Sequence, residues 1–372
     1  MLGGLRDFVV RHRRKFIVTG VLVGGSYIAI KYAQRKLIEF QTRQARDFLE
    51  KSRRMQHFET TESTCNKVIL GMGTELYAAI LRECNADALL EQLRQNPSNK
   101  VELWEEMKIV AFTRLTTFVY ASTMLVIALR AQINLLGGYL YQDVTLEKKE
   151  ISEDLKQRYL SLIGNFIHEG GLSDLIQLIR SKVIAMMKTV PLTKPFNLAD
   201  IEQLFWSLQI SISSEKDDPI KNMVRFLLPM EVPEYNRLLD IMFSDTLDVL
   251  DNVEAITVCA NNVSRGFSLA VDAIAEGIFQ SQHETNAEIN KKGMNKSGDG
   301  DASAAAVNSM LKLNKVEIPL AKLIPIISGL TSKGFDEKSR PQNLATSLLT
   351  FYMIEEKTKV FGANIYEVFS SK

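Results

Sequence analysis

The spacing of apolar residues along this chain is helical almost throughout. Leu76, Ala79 and Ile80, then Leu89, Leu90 and Leu93, recur at the three- and four-residue intervals that line one face of an α-helix. No stretch bounded by turn residues alternates strictly enough to predict a half-buried strand. Prolines are absent before Pro97, between Pro97 and Pro191, and between Pro233 and Pro319, which leaves room for long helices. The predicted fold is all-α: an N-terminal membrane anchor followed by one elongated bundle of long helices. One continuous charged helix is predicted from Tyr32 to about Gln56. The uncharged run Leu115–Leu129 is bracketed by Arg114 and Arg130. It reads as the middle of a buried central helix over 112–133, because it is short for a span and carries Thr116, Thr117, Ser122 and Thr123. Loops are predicted over 143–150, 191–195, 213–219 and 334–341. A flexible loop is predicted at about 286–309, where Gly, Ser, Asn, Asp and Lys dominate. No internal repeat is visible.

The predicted anchor is the uncharged run Phe16–Ile30, with Arg11, Arg13, Arg14 and Lys15 before it and Lys31, Arg35 and Lys36 after it. As a helix its roughly 15 residues reach about 22 Å, short of a hydrocarbon core of about 30 Å, and flanking cations can snorkel to help it fit. A secretory signal peptide has the same basic-then-apolar order, and a buried helix is a third reading. Against cleavage, Ile30, Lys31 and Tyr32 stand where a small-x-small pattern is needed. Gly20 and Gly24 form a small-xxx-small pair suited to helix contact. Both flanks are basic, so charge sets no orientation. The expected organisation is a basic N-terminus (1–15), an anchor (16–33) and a helical domain (34–372).

Composition narrows the function. The 372 residues are 24% charged and 46% hydrophobic with a net charge of +1, a globular balance without the basic face of a nucleic-acid-binding body. Positive charge gathers at the N-terminus, where it suits a membrane surface. Cys65, Cys84 and Cys259 form no CxxC pair and read as reduced thiols of a cytosol-facing domain. His12, His57, His168 and His283 lack metal-ligand spacing, and neither a P-loop nor a nucleophile elbow occurs. Gly71-Met72-Gly73 lacks the strand and third glycine of a dinucleotide loop. Asp299-Gly300-Asp301 lacks the other ligands of a calcium loop. No catalytic residue, metal or cofactor is predicted, and the chain reads as non-enzymatic, although distant residues can still assemble a site.

The helix beginning near Lys100 has more apolar surface than a core stripe needs. Asn99 and Glu102 have capping-box spacing after Pro97-Ser98. On a wheel, Val101, Leu103, Trp104, Met107, Val110, Ala111 and Phe112 cover roughly 200°, against the little over 100° that faces a core. Glu102, Glu105 and Glu106 take the other side, with Ile109 among them. Lys100 and Lys108 fall inside the apolar arc beside Trp104. Either Trp104 is ordinary core and the lysines snorkel, or the lysines rim a groove for an acidic amphipathic helix. Leu89, Leu90 and Leu93 on the preceding helix can supply the second wall.

These residues carry a resemblance. Lys31-Tyr32, Arg53-Arg54 and His57-Phe58-Glu59 are similar to the peroxin-3 (peroxisomal biogenesis factor 3) family. So are Pro97-Ser98-Asn99-Lys100, Glu102, Trp104-Glu105, Lys108-Ile109 and Phe112-Thr113-Arg114. Further matches are Gln132, Asn134, Gly137-Gly138-Tyr139, Arg265-Gly266-Phe267-Ser268, Pro319-Leu320-Ala321-Lys322, Ile324-Pro325-Ile326, Tyr366-Glu367 and Phe369-Ser370. The resemblance implies a single-pass peroxisomal membrane protein with its N-terminus in the matrix and a cytosolic helical domain. It implies a docking receptor for the chaperone and import receptor peroxin-19, required for insertion of peroxisomal membrane proteins and for peroxisome biogenesis. Trp104 occupies the family's groove tryptophan position, Leu93 and Lys100 fall on further groove positions, and Leu90, Val101, Met107 and Lys322 are implied neighbours. Arg11, Arg13, Arg14 and Lys15 correspond to the membrane-targeting cluster. Implied partners are peroxin-19, membrane lipids and other peroxisomal membrane proteins, with room for transit through the endoplasmic reticulum. The stretch 143–237 departs most from the family pattern. The alternative function is an anchored helical tether for organelle-inheritance or turnover factors.

Overall fold

The computed structural model describes residues 13–214, 216–231, 235–292, 317–332 and 343–371, with backbone alone over 13–30 and 282–292. The chain is all-α as predicted. Helix α1 spans Arg13–Glu83, well beyond the predicted Tyr32–Gln56 at both ends. No proline interrupts it, and Gly71 and Gly73 are absorbed as helical residues. Two compact units divide the molecule, residues 1–59 and residues 60–372, and α1 contributes to both.

The second unit is organised around α3, Lys100–Thr145. Its 46 residues extend roughly 69 Å at 1.5 Å per residue. Every residue from Val110 to Gly138 is buried, so this helix is covered on all sides. It is long and apolar enough to cross a membrane, yet 94% of its most apolar window is enclosed by protein, which makes it the predicted central helix. Around it pack α2 (Ala86–Arg94), α6 (Gly171–Met187), α9 (Arg237–Leu250), α10 (Val253–Lys292), α11 (Leu320–Gly329), α12 (Leu344–Ile354) and α13 (Glu356–Ser371). Gly138 lets α13 come close: a Cβ there would lie 2.6 Å from Phe369 Cβ and 2.8 Å from the Phe369 carbonyl carbon.

Polar groups inside the bundle tie its layers together. Arg130 donates to Glu62, to Asn66 Oδ1 at 2.8 Å and to the Met353 carbonyl at 2.8 Å, joining α1, α3 and α12. Tyr77 donates to the Thr331 carbonyl at 2.9 Å, and Asn262 to Thr358 Oγ1 at 3.0 Å. Such bonds are what keep buried polar atoms from destabilising the core.

Two features depart from the sequence-based expectation. A two-residue ladder exists: β1 (Pro195–Phe196) pairs antiparallel with β2 (Ile318–Pro319), Phe196 opposite Ile318. Two residues are too few to show alternation, and their pairing depends on distant segments meeting. Helices also run into predicted loops, α3 to Thr145 and α10 to Lys292. The remainder of the 286–309 loop and all of 334–341 lie outside the described residues. The 191–195 stretch is turn and irregular chain until β1 begins at Pro195, and 213–219 is so where described apart from Ser213, which ends a helix.

Candidate docking site

The corner between α2 and α3 is built by local chemistry. Asn85 caps α2, its side chain accepting from Ala88 N at 3.0 Å. The helix closes at Asn96, whose φ of 58° is left-handed and whose N–H donates to the Leu93 carbonyl at 3.2 Å. Pro97 follows and cannot continue it. Asn99 then stands at the N-cap of α3, but the expected capping box is absent. With ψ at 35° its backbone is not extended, and its side chain makes no cap hydrogen bond.

On this corner Leu103, Met107, Val110, Ala111 and Phe112 face inward and are buried. Trp104, Leu90 and Leu93 are half-buried, packed on the core while still presenting surface. Val101 is 70% exposed and Lys100 is exposed beside it. Ile109, expected among the glutamates, is half-buried against the core. Leu90 and Leu93 on α2 and Val101 and Trp104 on α3 are thus apolar side chains left partly or largely accessible at this corner.

Lys108 corrects the sequence reading. It was expected at a groove rim, yet its side chain is 0% exposed. Its ammonium donates to the Val190 carbonyl at 2.8 Å and pairs with Glu105 at 2.5 Å. The carbonyl of half-buried Val190 draws the lysine inward, and the half-exposed Glu105 balances its charge. Lys108 therefore holds the 188–194 loop against α3. The same loop is hydrogen-bonded to the start of α11, where Ala321 N donates to the Leu192 carbonyl and Leu320 N to the Lys194 carbonyl, both at 2.9 Å. Lys322, exposed, follows these two residues on the helix that packs against the loop Lys108 holds. With Lys108 sealed, Lys100 and Lys322 are the exposed ones among these three lysines.

The N-terminal candidates are described only in part. Arg11 lies outside the described residues. Arg13, Arg14 and Lys15 open α1, and Gly20 and Gly24 sit four residues apart on its backbone.

Two buried cations escaped the sequence reading, which placed them only as brackets of an apolar run. Arg130 is the interior node already described. Arg114 donates through Nη2 to the Ser328 carbonyl at 2.6 Å and to Ser328 Oγ at 2.9 Å. Its Nε and Nη1 meet no acceptor among the described residues. Burial holds its pKa below the usual guanidinium value, partly offset by the charge of Asp87. Neither role was legible, because the acceptors come from remote segments.

Among the described residues no three His, Cys, Asp or Glu side chains converge as metal ligands would. Concavities among the described residues lie away from the corner: one of about 460 Å³ between α10, α11 and α12, and another of about 400 Å³ between α7 (Leu198–Ser213) and α10. The three cysteines are free and buried.

Comparison with known proteins supplies the family. Residues 7–100 and 95–145 match the family model described as Peroxin-3. Peroxisomal biogenesis factor 3 of Homo sapiens is 32% identical over 393 aligned positions, covering 100% of this chain and 98% of that protein. The chain belongs to the peroxin-3 family. The Mus musculus protein of the same name is likewise 32% identical, with the same coverage. Peroxisome biogenesis protein 3-1 of Arabidopsis thaliana matches at 27% over 200 positions, 48% of this chain and 56% of that protein. Membership in the peroxin-3 family carries a non-catalytic role in peroxisome biogenesis and a place at the peroxisomal membrane.

Proposed function

We propose that this peroxin-3 family member is the peroxisomal docking receptor for peroxin-19. Residues 16–33 anchor it in the bilayer, Arg11–Lys15 target it, and the 34–372 domain works in the cytosol. The observation that supports this reading is the two-helix apolar surface of Leu90, Leu93 and Trp104, bordered by exposed Val101 and Lys100. An amphipathic helix of peroxin-19 lays its apolar face there, with Lys100 and Lys322 meeting its acidic side. Met107, buried about one turn along α3 from Trp104, belongs to the core side of the same site. Docking holds the cargo-bearing chaperone beside the membrane and raises local cargo concentration without further chemistry.

Titration of the full-length chain with a fluorescent N-terminal peroxin-19 peptide, read by anisotropy, tests the proposal. Trp104→Ala is expected to cost about 2–4 kcal/mol of binding, a factor of roughly 30 to 1,000, while helical circular dichroism is retained. Unaltered affinity would remove Trp104 from the site. A wild-type chain that folds but does not bind would remove the function.

A further inference from the structure

A tryptophan stands in solvent on α7, where the docking reading makes no use of it. Trp206 is 61% exposed, and Ile210, about one turn further along the same helix, is 44% exposed. A large aromatic left in water keeps apolar area that binding can bury, and tryptophan is among the side chains most enriched where binding energy concentrates. Trp206 lines the concavity of about 400 Å³ between α7 and α10. Beneath it lie buried Phe205 and Phe267, stacked with ring centroids 5.4 Å apart.

Contacts along this groove give it two different ends. Gln209 Nε2 donates to Ser264 Oγ at 2.8 Å, and Phe205 stacks on Phe267, so α7 and α10 run antiparallel here. Glu202 precedes Gln209 by about two turns and Asp272 follows Ser264 by about two, which brings both carboxylates to the same end. That acidic end lies roughly 10 Å from the Gln209–Ser264 bond. Both carboxylate residues are exposed, and among the described residues no lysine or arginine lines the groove. Charge therefore selects the occupant. Carboxylates attract an ammonium or guanidinium, and an indole face accepts the cation or its apolar stem. Residues 1–54 hold 13 Lys and Arg against 4 Asp and Glu, and the rest of the chain holds 32 against 40, so the body that carries the groove is net negative.

We propose that the α7–α10 groove docks a basic amphipathic helix of a partner protein. The helix packs its apolar side chains on Trp206 above the phenylalanine floor and places a lysine or arginine between Glu202 and Asp272. A groove between two helices, about two turns long, suits a helical ligand. The two carboxylates at one end orient it, because its cation must sit there, and they disfavour an acidic helix. This contact goes beyond peroxin-19 docking and does not depend on it. The surface stays open while the α2–α3 corner is occupied.

The test uses the full-length chain in a neutral detergent, carrying Trp104→Phe so that Trp206 is its sole indole. The probe is a tryptophan-free helical peptide with leucines on one face and lysines on the other, and its counterpart carries glutamates in place of the lysines. The lysine peptide should shift Trp206 emission to the blue and saturate, while the glutamate peptide should leave it unmoved. Glu202→Gln together with Asp272→Asn should weaken the lysine peptide about tenfold, and about 0.5 M salt should act in the same direction. No shift with the lysine peptide, in a chain that keeps its helical circular dichroism, overturns the inference. An equal shift with the glutamate peptide, or unaltered affinity once both carboxylates are neutral, overturns it too. A Trp206 shift that grows with chain concentration in the absence of peptide assigns the groove to a second copy and likewise overturns it.

Discussion

Lys108→Met separates a strut from a rim. The substitution keeps the stem and removes the ammonium, so the Val190 carbonyl loses the donor that now lies at 2.8 Å. A hydrogen bond to a charged group is worth about 1.5–3 kcal/mol. Glu105, 42% exposed, returns to water at little cost. Ending the desolvation of the buried ammonium offsets part of the loss, which leaves roughly 2 kcal/mol of destabilisation. Lys108→Ala also empties the space of the buried stem and should cost about 4 kcal/mol. The same change at exposed Lys100 should move stability by less than about 0.5 kcal/mol. Instead it should weaken peptide binding mostly through the on-rate and flatten its salt dependence. Chemical denaturation of the full-length chain in detergent, followed by circular dichroism, reads the stability. Anisotropy at two salt concentrations reads the binding. A Lys108→Met chain with an unchanged midpoint and the binding defect of Lys100→Met would put the ammonium at the rim and refute the reasoning.

Arg130→Met should cost about 3–5 kcal/mol, because Glu62, Asn66 and the Met353 carbonyl lose a shared donor, and adding Glu62→Gln should recover part of it. A loss below about 1 kcal/mol in the same denaturation assay would show that the node is dispensable. The thiols predict an alkaline limit. Burial raises Cys65 from 9.0 to about 12 and Cys84 to about 11, and raises Cys259 as well. Native thiols therefore keep protons that unfolded ones release, so their contribution is intact below pH 9 and declines as pH rises through the window up to the native values. The decline should be about 1 kcal/mol per thiol between pH 9 and 10, and replacing Cys259 by Ala should flatten the profile. Rapid reaction of native Cys65 with a thiol reagent at pH 8 would contradict this.

Much of the fold was legible because local spacing encodes it. Helical periodicity, the distribution of proline and the break at Pro97 are properties of neighbouring residues, and they gave the all-α class, the buried 112–133 helix and the α2–α3 corner. The half-buried position of Trp104 follows from an apolar arc on α3 wider than a core requires. The capping box failed although its spacing was right, since a cap depends on the backbone angle at Asn99 and not on residue type alone.

The sequence by itself determined where helices run, which faces are apolar and how charge divides between the N-terminal segment and the body. Tertiary structure alone decided which cations are sealed. Lys108, Arg114 and Arg130 find acceptors at Val190, Ser328 and Met353, separated by 82, 214 and 223 residues along the chain. A helical wheel sees only neighbours on its own helix, and a buried charge is settled by whichever distant carbonyl the fold brings to it.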